Sequence, residues 1–259
     1  MRKTLEPITL AAIAILFPIY SLYWYINNIS GTVVVATIAV SLLMGSANSM
    51  FAHRAWTHKS WIPSKLTNIF GLFTFTTLLS GPSTAWVAIH RKHHRFEDQP
   101  EDPHSPYYKS WFRVQFLPYF ANINVLRYAP DIIRQRDHMW FAAHYWTINI
   151  VWFACLYLIS PWLLSFWIAY TGLNLFKQHS INSLLHASPW WVFPINYSNG
   201  AANSLVHNII MFGNGESWHA NHHNDPANVS FRKRWYEVDL VVVMVYALIK
   251  IKLGKLKEN

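Results

Sequence analysis

The sequence predicts an all-α integral membrane protein, with four transmembrane helices and a helical cap on the cytoplasmic side. Three observations carry that expectation. Hydrophobic residues make up 53% of the 259 and charged residues only 13%, few charges for a soluble domain. The apolar residues are bunched into long runs rather than spread at the spacing of a soluble core. Finally, the two short turns that separate paired runs, 27–31 and 160–161, contain no Lys or Arg.

The elements follow in order. Residues 8–26 are nearly all apolar and long enough to cross ~30 Å of hydrocarbon at ~1.5 Å per residue. Pro18 within them is expected to kink the helix. Met1-Arg2-Lys3 before this run resembles a signal peptide, but Glu6 and Pro7 intervene and no small-residue cleavage site follows. The run is therefore expected to be a retained first span. Residues 32–50 form the second. The stretch 61–88 is broken by Pro63, Gly71, Gly81 and Pro82, and it is expected to be a partly embedded or interfacial helix. A turn-rich loop follows at 98–106, and 110–135 mixes aromatics with Arg113, Arg127 and Arg134 as an interfacial segment does. Residues 140–159 are the third expected span and 162–180 the fourth. The segments 51–139 and 181–259 are then cytoplasmic, and the whole chain is expected to be one membrane domain.

Charge supports this orientation. The net charge is +9, and every basic residue precedes the first span, lies between spans two and three, or follows from the end of span four. The positive-inside rule puts both termini in the cytoplasm and accounts for the excess without a nucleic-acid partner. In a bacterium the host would be the cytoplasmic membrane. The single cysteine, Cys155, excludes a disulfide framework, a Cys-based zinc site and a Cys-ligated iron–sulfur cluster built from this chain.

Histidine carries the chemistry. His219-x-x-His222-His223 puts three imidazoles on one helical face, and His90-x-x-His93-His94 repeats the pattern. His53 and His58 form a wider pair, which a regular α-helix would point about 140° apart. Adjacent imidazoles such as His93 and His94 suit two metals rather than one. A structural zinc closes with four ligands, whereas eight or nine imidazoles over two ions suit iron; copper, nickel and zinc also accept imidazole. Asp98, Asp102, Glu216, Asn221 and Asp225 are candidates to hold the imidazole N–H groups, or else to form turns and caps. His104 is a candidate for that outer layer, His144 is expected to pack in the core of span three, and His138, His179 and His207 have no assigned role.

The order H-x-x-x-x-H, H-x-x-H-H, H-x-x-H-H resembles the membrane fatty-acyl desaturases of the stearoyl-CoA desaturase type. Glu101-Asp102-Pro103-His104-Ser105-Pro106 and Gly215-Glu216-Ser217-Trp218-His219 are similar to the bacterial acyl desaturases, and Trp235-Tyr236-Glu237-Val238-Asp239 is similar to the family's W-x-E-x-D stretch. Asn182-Ser183-Leu184-Leu185-His186 resembles the family's N-S-x-x-H. There the resemblance implies His186 as a ninth ligand and Asn182 as the holder of a metal-bound water. It implies a di-iron centre held by His53, His58, His90, His93, His94, His186, His219, His222 and His223. It also implies O2 as co-substrate and a double bond introduced into a fatty-acyl chain carried by CoA, acyl-carrier protein or lipid. The chain departs from the family at 187–191, Ala-Ser-Pro-Trp-Trp, where a basic glycine-containing segment is expected. It also has no fused cytochrome b5 module, so electrons must come from a separate ferredoxin or cytochrome b5 type donor with its reductase.

Rival readings remain open at the level of sequence. Hydroxylases and acetylenases of the same superfamily share the box order. A histidine-rich membrane metal transporter would need ionisable groups along a path through the spans, and these spans carry few.

Overall fold

The computed structural model describes residues 2–118, 123–198 and 200–257. Residues 119–122 of the expected interfacial segment and the chain ends at 1 and 258–259 lie outside the described residues.

The first expected span lies within α1 (Arg2–Asn28), which carries Pro7 and Pro18 inside the helix. The Ser30 hydroxyl accepts from Val33 N and starts α2 (Gly31–Val40). The helix does not end at Val40. It continues as two π-helical stretches, Ser41–Gly45 and Asn48–Thr57, so that one apolar rod runs from Gly31 to Thr57. Pro7–Asn28 and Gly31–Thr57 are the two helices among the described residues that are long and apolar enough to cross a membrane.

The third expected span, 140–159, is not one straight helix. α8 (Arg136–Ala143) and α9 (Tyr145–Ile159) meet at 67° around His144. His144 is correspondingly not a core residue: it is exposed at the bend, its Nδ1 is 2.9 Å from the Trp140 carbonyl and its ring stacks on Trp140. The fourth expected span, 162–180, belongs to a longer helix, α10 (Pro161–Leu185). α10 opens on a proline, where no helical N–H is lost. Its last third turns polar, with Asn174, Lys177, His179 and Ser180 buried. These polar side chains therefore face the protein interior. α1 packs along α10, and Gly172 permits the approach: a Cβ there would overlap the Phe17 carbonyl.

The chain is not purely helical. β1 (Trp61–Pro63) pairs antiparallel with the distant β4 (Gly254–Leu256), and β2 (Pro194–Ser198) with β3 (Ala201–Ser204). Such short strands leave no periodic signal, and the first pair depends on a partner nearly the whole chain away. The stretch 61–88 is not a single helix either: β1 leads into α3 (Lys65–Thr77), capped by the Ser64 hydroxyl, and then α4 (Ser83–Arg95). α3 leaves Leu66 and Phe70 exposed. Three short helices follow, α5 (Pro106–Lys109), α6 (Trp111–Phe116) and α7 (Val125–Tyr128). After α10 come α11 (Leu205–Ile210), α12 (His219–Asn224) and α13 (Leu240–Lys250).

The two largest apolar cores among the described residues divide the work. One joins α1, α2, α9 and α10 through Trp24, Leu156, Phe166, Trp167 and Tyr170. The other surrounds the second π-helical stretch with Phe51, Trp56, Trp61, Phe75, Val87 and Val245. The histidines gather at that second core, where the π-helical end of the α2 rod, α4, α12 and the end of α10 come together.

Candidate metal centre

The nine histidines named from the sequence fall into two groups. His53, His58, His90, His94 and His222 form one, His93, His186, His219 and His223 the other. Within each group the donor nitrogens lie within 4.8 Å of one another. Adjacent residues split between the groups, His93 from His94 and His222 from His223, because neighbours on a helix point in different directions.

The π-helix explains His53 and His58. Their five-residue spacing would separate them on an α-helix, but the His58 amide donates to the His53 carbonyl at 3.1 Å, an i+5 bond. That winding puts both rings on one face, with centroids 5.0 Å apart. π-Helical segments are rare and concentrate at functional sites. Here the segment converts an unfavourable spacing into a converging pair.

The nitrogen spacing tests whether metal fits. His222 Nε2 lies 2.9 Å from His53 Nε2 and 3.0 Å from His94 Nε2, and His94 Nε2 lies 3.0 Å from His90 Nε2. In the second group His219 Nε2 lies 3.1 Å from both His186 Nε2 and His223 Nε2. A ring nitrogen has a single in-plane position, a proton or a lone pair. His222 and His219 therefore cannot each make two well-formed hydrogen bonds through Nε2, whereas several lone pairs can share a cation. Nitrogens ~2.1 Å from an ion stand about 3.0 Å apart at right angles and about 3.4 Å apart in a tetrahedron. The observed spacing fits right-angled coordination by four or five imidazoles better than a closed tetrahedral zinc site.

Carboxylates set the tautomers. The Nδ1 of His53 meets Glu216 Oε2 at 2.5 Å, His93 Nδ1 meets Asp102 Oδ2 at 2.9 Å, and His186 Nδ1 meets Asp98 Oδ2 at 3.2 Å. Each carboxylate accepts the Nδ1 proton and leaves the Nε2 lone pair free for metal. Glu97 Oε1 sits 2.8 Å from His223 Nδ1 without the alignment of a hydrogen bond. Asn221 instead braces the fold, donating to Glu237 Oε2 and the Phe231 carbonyl, and Asp225 lies exposed in a turn with Asn228. His104 is buried beside His93 with its Nδ1 unpartnered. His138 pairs with Ser83, His179 Nδ1 with the Gln115 carbonyl, and His207 with Ser180 and Ser217.

Electrostatics point the same way. Burial, and then the charge of neighbouring imidazoles, pushes His58, His90, His94, His219, His222 and His223 well below the usual histidine range. These rings are neutral at pH 7 and present lone pairs. Burial pushes the Glu216 carboxyl up, but His53 and Arg54 outweigh it and hold it at about 2. Burial likewise opposes ionisation of Asp102, and His93 outweighs it, again at about 2.

The sequence reading gives no role to Arg54, yet Arg54 is fully buried and binds Glu216 Oε1 and Asp239 Oδ2, each at 2.9 Å. It thus ties the histidine-bearing π-helix to two of the motif stretches named above. Gly215, at φ +84°, lets that loop lie against Asp239, whose carboxylate a Cβ would overlap. Glu97 and Arg54 belong to no spaced pattern; the one signal is their position, each within a few residues of a box histidine.

A cavity opens beside both groups. His53, His90 and His219 line it, with Leu10, Ile89, Ile181 and Met211 as apolar wall. Asn182 lies one turn before His186 on α10 and lines the same cavity, and its buried Oδ1 has no hydrogen-bond partner.

The fold and this site define a membrane-associated helical protein with two adjacent histidine groups that could hold metal. Comparison with known proteins gives the family. The fatty acid desaturase family profile matches residues 22–250. A hex-5-enoyl-[acyl-carrier protein] acetylenase of Moorena producens is 27% identical over 95% of this chain and 80% of its own length. An sn-2 palmitoyl-lipid 9-desaturase of Nostoc sp. is 28% identical over 78% of this chain and 73% of its own. An acyl-CoA C20 Delta5-desaturase of Anemone leveillei is 28% identical over 72% of this chain and 61% of its own. The chain belongs to the fatty acid desaturase family.

Proposed function

We propose that this protein is a membrane acyl desaturase that uses O2 and two external electrons, with one iron in each histidine group. The observation that carries the reading is the pair of groups itself: five and four buried imidazoles around neighbouring points beside a partly apolar cavity. When bound, the irons supply the O2-derived oxidising power that an unactivated C–H bond requires. Two hydrogens leave adjacent methylenes and a C=C bond forms. O2, two electrons and two protons from outside yield, with those hydrogens, two waters.

The chain's own residues hold and position. The nine imidazoles are the metal ligands. Glu216, Asp102 and Asp98 fix His53, His93 and His186 in the metal-binding tautomer. Asn182 holds a water at the centre through its free Oδ1. The apolar wall keeps bulk water from the reacting carbons and limits which methylenes reach the histidines. The chain works as one membrane domain. α1, the Gly31–Thr57 rod, the bent α8–α9 pair and α10 form four spans with both termini cytoplasmic, which the lysine- and arginine-free turns at 27–31 and 160–161 support. Electrons come from a separate ferredoxin or cytochrome b5 type protein with its reductase.

The printed names of the relatives include acyl-carrier protein, CoA and lipid forms, so the carrier is left open. A second reading, acetylenase, is favoured by the relative whose alignment covers 95% of this chain. The test is expression in a host without desaturases, with mass spectrometry of lipids and acids. A mapped new alkene supports desaturation, an alkyne supports the acetylenase, and an alcohol or no product counts against both.

A further inference from the structure

The cavity that reaches the histidines has a polar far end that a hydrocarbon chain does not require. Lys177 on α10 lines it and is only 5% exposed. Its Nζ lies 3.5 Å from Ser41 Oγ and 4.3 Å from the centre of the Phe212 ring, and among the described residues no carboxylate forms an ion pair with it. Three residues before it, on the same helix face, Asn174 is also 5% exposed and lines the same cavity, and its Nδ2 has no partner. Next to these two, Gln178 is satisfied internally: its Oε1 accepts from Asn48 at 2.6 Å and Ser80 at 3.2 Å. Lys177 and Asn174 thus leave two donors at this end of the cavity, one of them a buried amine.

We infer that the cavity takes a substrate carrying a carboxylate, held by Lys177 Nζ and Asn174 Nδ2, which lie about 7.5 and about 12 Å along α10 from Asn182. The inference rests on the desaturase reading only in treating the histidine end as the reacting end. Its warrant is desolvation. A saturated chain filling the cavity would strip water from an amine with no counter-charge and from an amide donor with no partner, which is costly. A carboxylate would satisfy both donors and would itself favour the protonated amine. The carboxylate has two possible sources: a free acid, or the far end of a chain whose other end is esterified to a carrier.

Equilibrium binding to the full-length protein in detergent tests this with two matched pairs of probes. The first pair is decanoate against methyl decanoate. The second is the N-acetylcysteamine thioester of a ten-carbon chain with a terminal carboxylate, against the same thioester with a terminal methyl. We expect the carboxylate member of at least one pair to bind tenfold tighter or better. That preference should persist in Lys177→Arg, shrink in Asn174→Leu and vanish in Lys177→Met. Preference in the first pair identifies a free acid as the source; preference in the second pair alone identifies a far-end carboxylate. Equal or tighter binding of the neutral member in both pairs overturns the inference with the unmodified protein alone. A preference that survives Lys177→Met also overturns it. Binding needs neither iron nor an electron donor, so failure to find an alkene product leaves this inference standing. Desaturation of plain chains at unchanged kcat/KM by Lys177→Met would sink it while leaving the desaturase reading intact.

Discussion

At the scale of single residues the account turns on which imidazoles converge. The two H-x-x-H-H boxes are legible because a helix repeats its face every three to four residues. His186 becomes visible only through the N-S-x-x-H resemblance, since nothing in its own spacing marks it. Lys177 is hidden for the opposite reason: within an apolar run one lysine reads as an accident until its burial and its cavity are known. His222 sits between His53 and His94. His222→Ala should therefore abolish product formation while the protein still inserts and accumulates. Asn182→Ala should keep full metal content and lose roughly 10–100-fold in turnover, as groups that orient a centre without binding it typically do. Product per folded molecule and metal content, measured together, separate the two behaviours; an active, metal-replete His222→Ala would contradict the ligand assignment.

At the scale of elements, the sequence shows where helices lie better than how they are wound or bent. The π-helical stretch Asn48–Thr57 rests on i+5 bonds, and nothing in the residue types of that stretch announces them. It is also held by tertiary links, among them Trp61 Nε1 donating to the Met50 carbonyl at 2.9 Å. The break at His144 is equally silent, since hydropathy runs on through it. Arg54 shows how such an element is fastened. Its guanidinium joins the π-helix to Glu216 and Asp239, and its face lies 3.7 Å over the Phe231 ring. Arg54→Met should leave two buried carboxylates without their shared counter-charge and cost about 3–5 kcal/mol. The loss should appear in thermal unfolding of the metal-free protein, and a drop below about 1 kcal/mol would show that the triad does not hold these elements together.

At the scale of the whole molecule, charge distribution and buried histidines make two further expectations. Reporter fusions after Asn28 and after Ser160 should read as external and one after Lys257 as internal; an internal Ser160 would overturn the four-span topology. Stability should also depend on pH in a definite direction. His90, His219 and His222 have folded pKa values below the ordinary 6.5, so the unfolded chain binds more protons in that window and stability falls as pH drops below about 6.5. Asp102 and Glu216, held at about 2, add a further loss between about pH 4.5 and 2. The melting temperature of the metal-free protein should decline steadily through both windows, and a flat profile from pH 7 to 4 would contradict neutral burial of the imidazoles. The most direct test of the central claim, that each histidine group holds its own iron, is a metal count on the protein and two single variants. Isolated under mild reducing conditions, the unmodified chain should carry close to two irons. His222→Ala should lose metal from the five-histidine group alone, and His219→Ala from the four-histidine group alone, each retaining about one. Zinc in place of iron at the same two-to-one count would leave the geometry standing, because imidazole accepts either. A single tightly held zinc in the unmodified protein, with both variants unchanged, would contradict it.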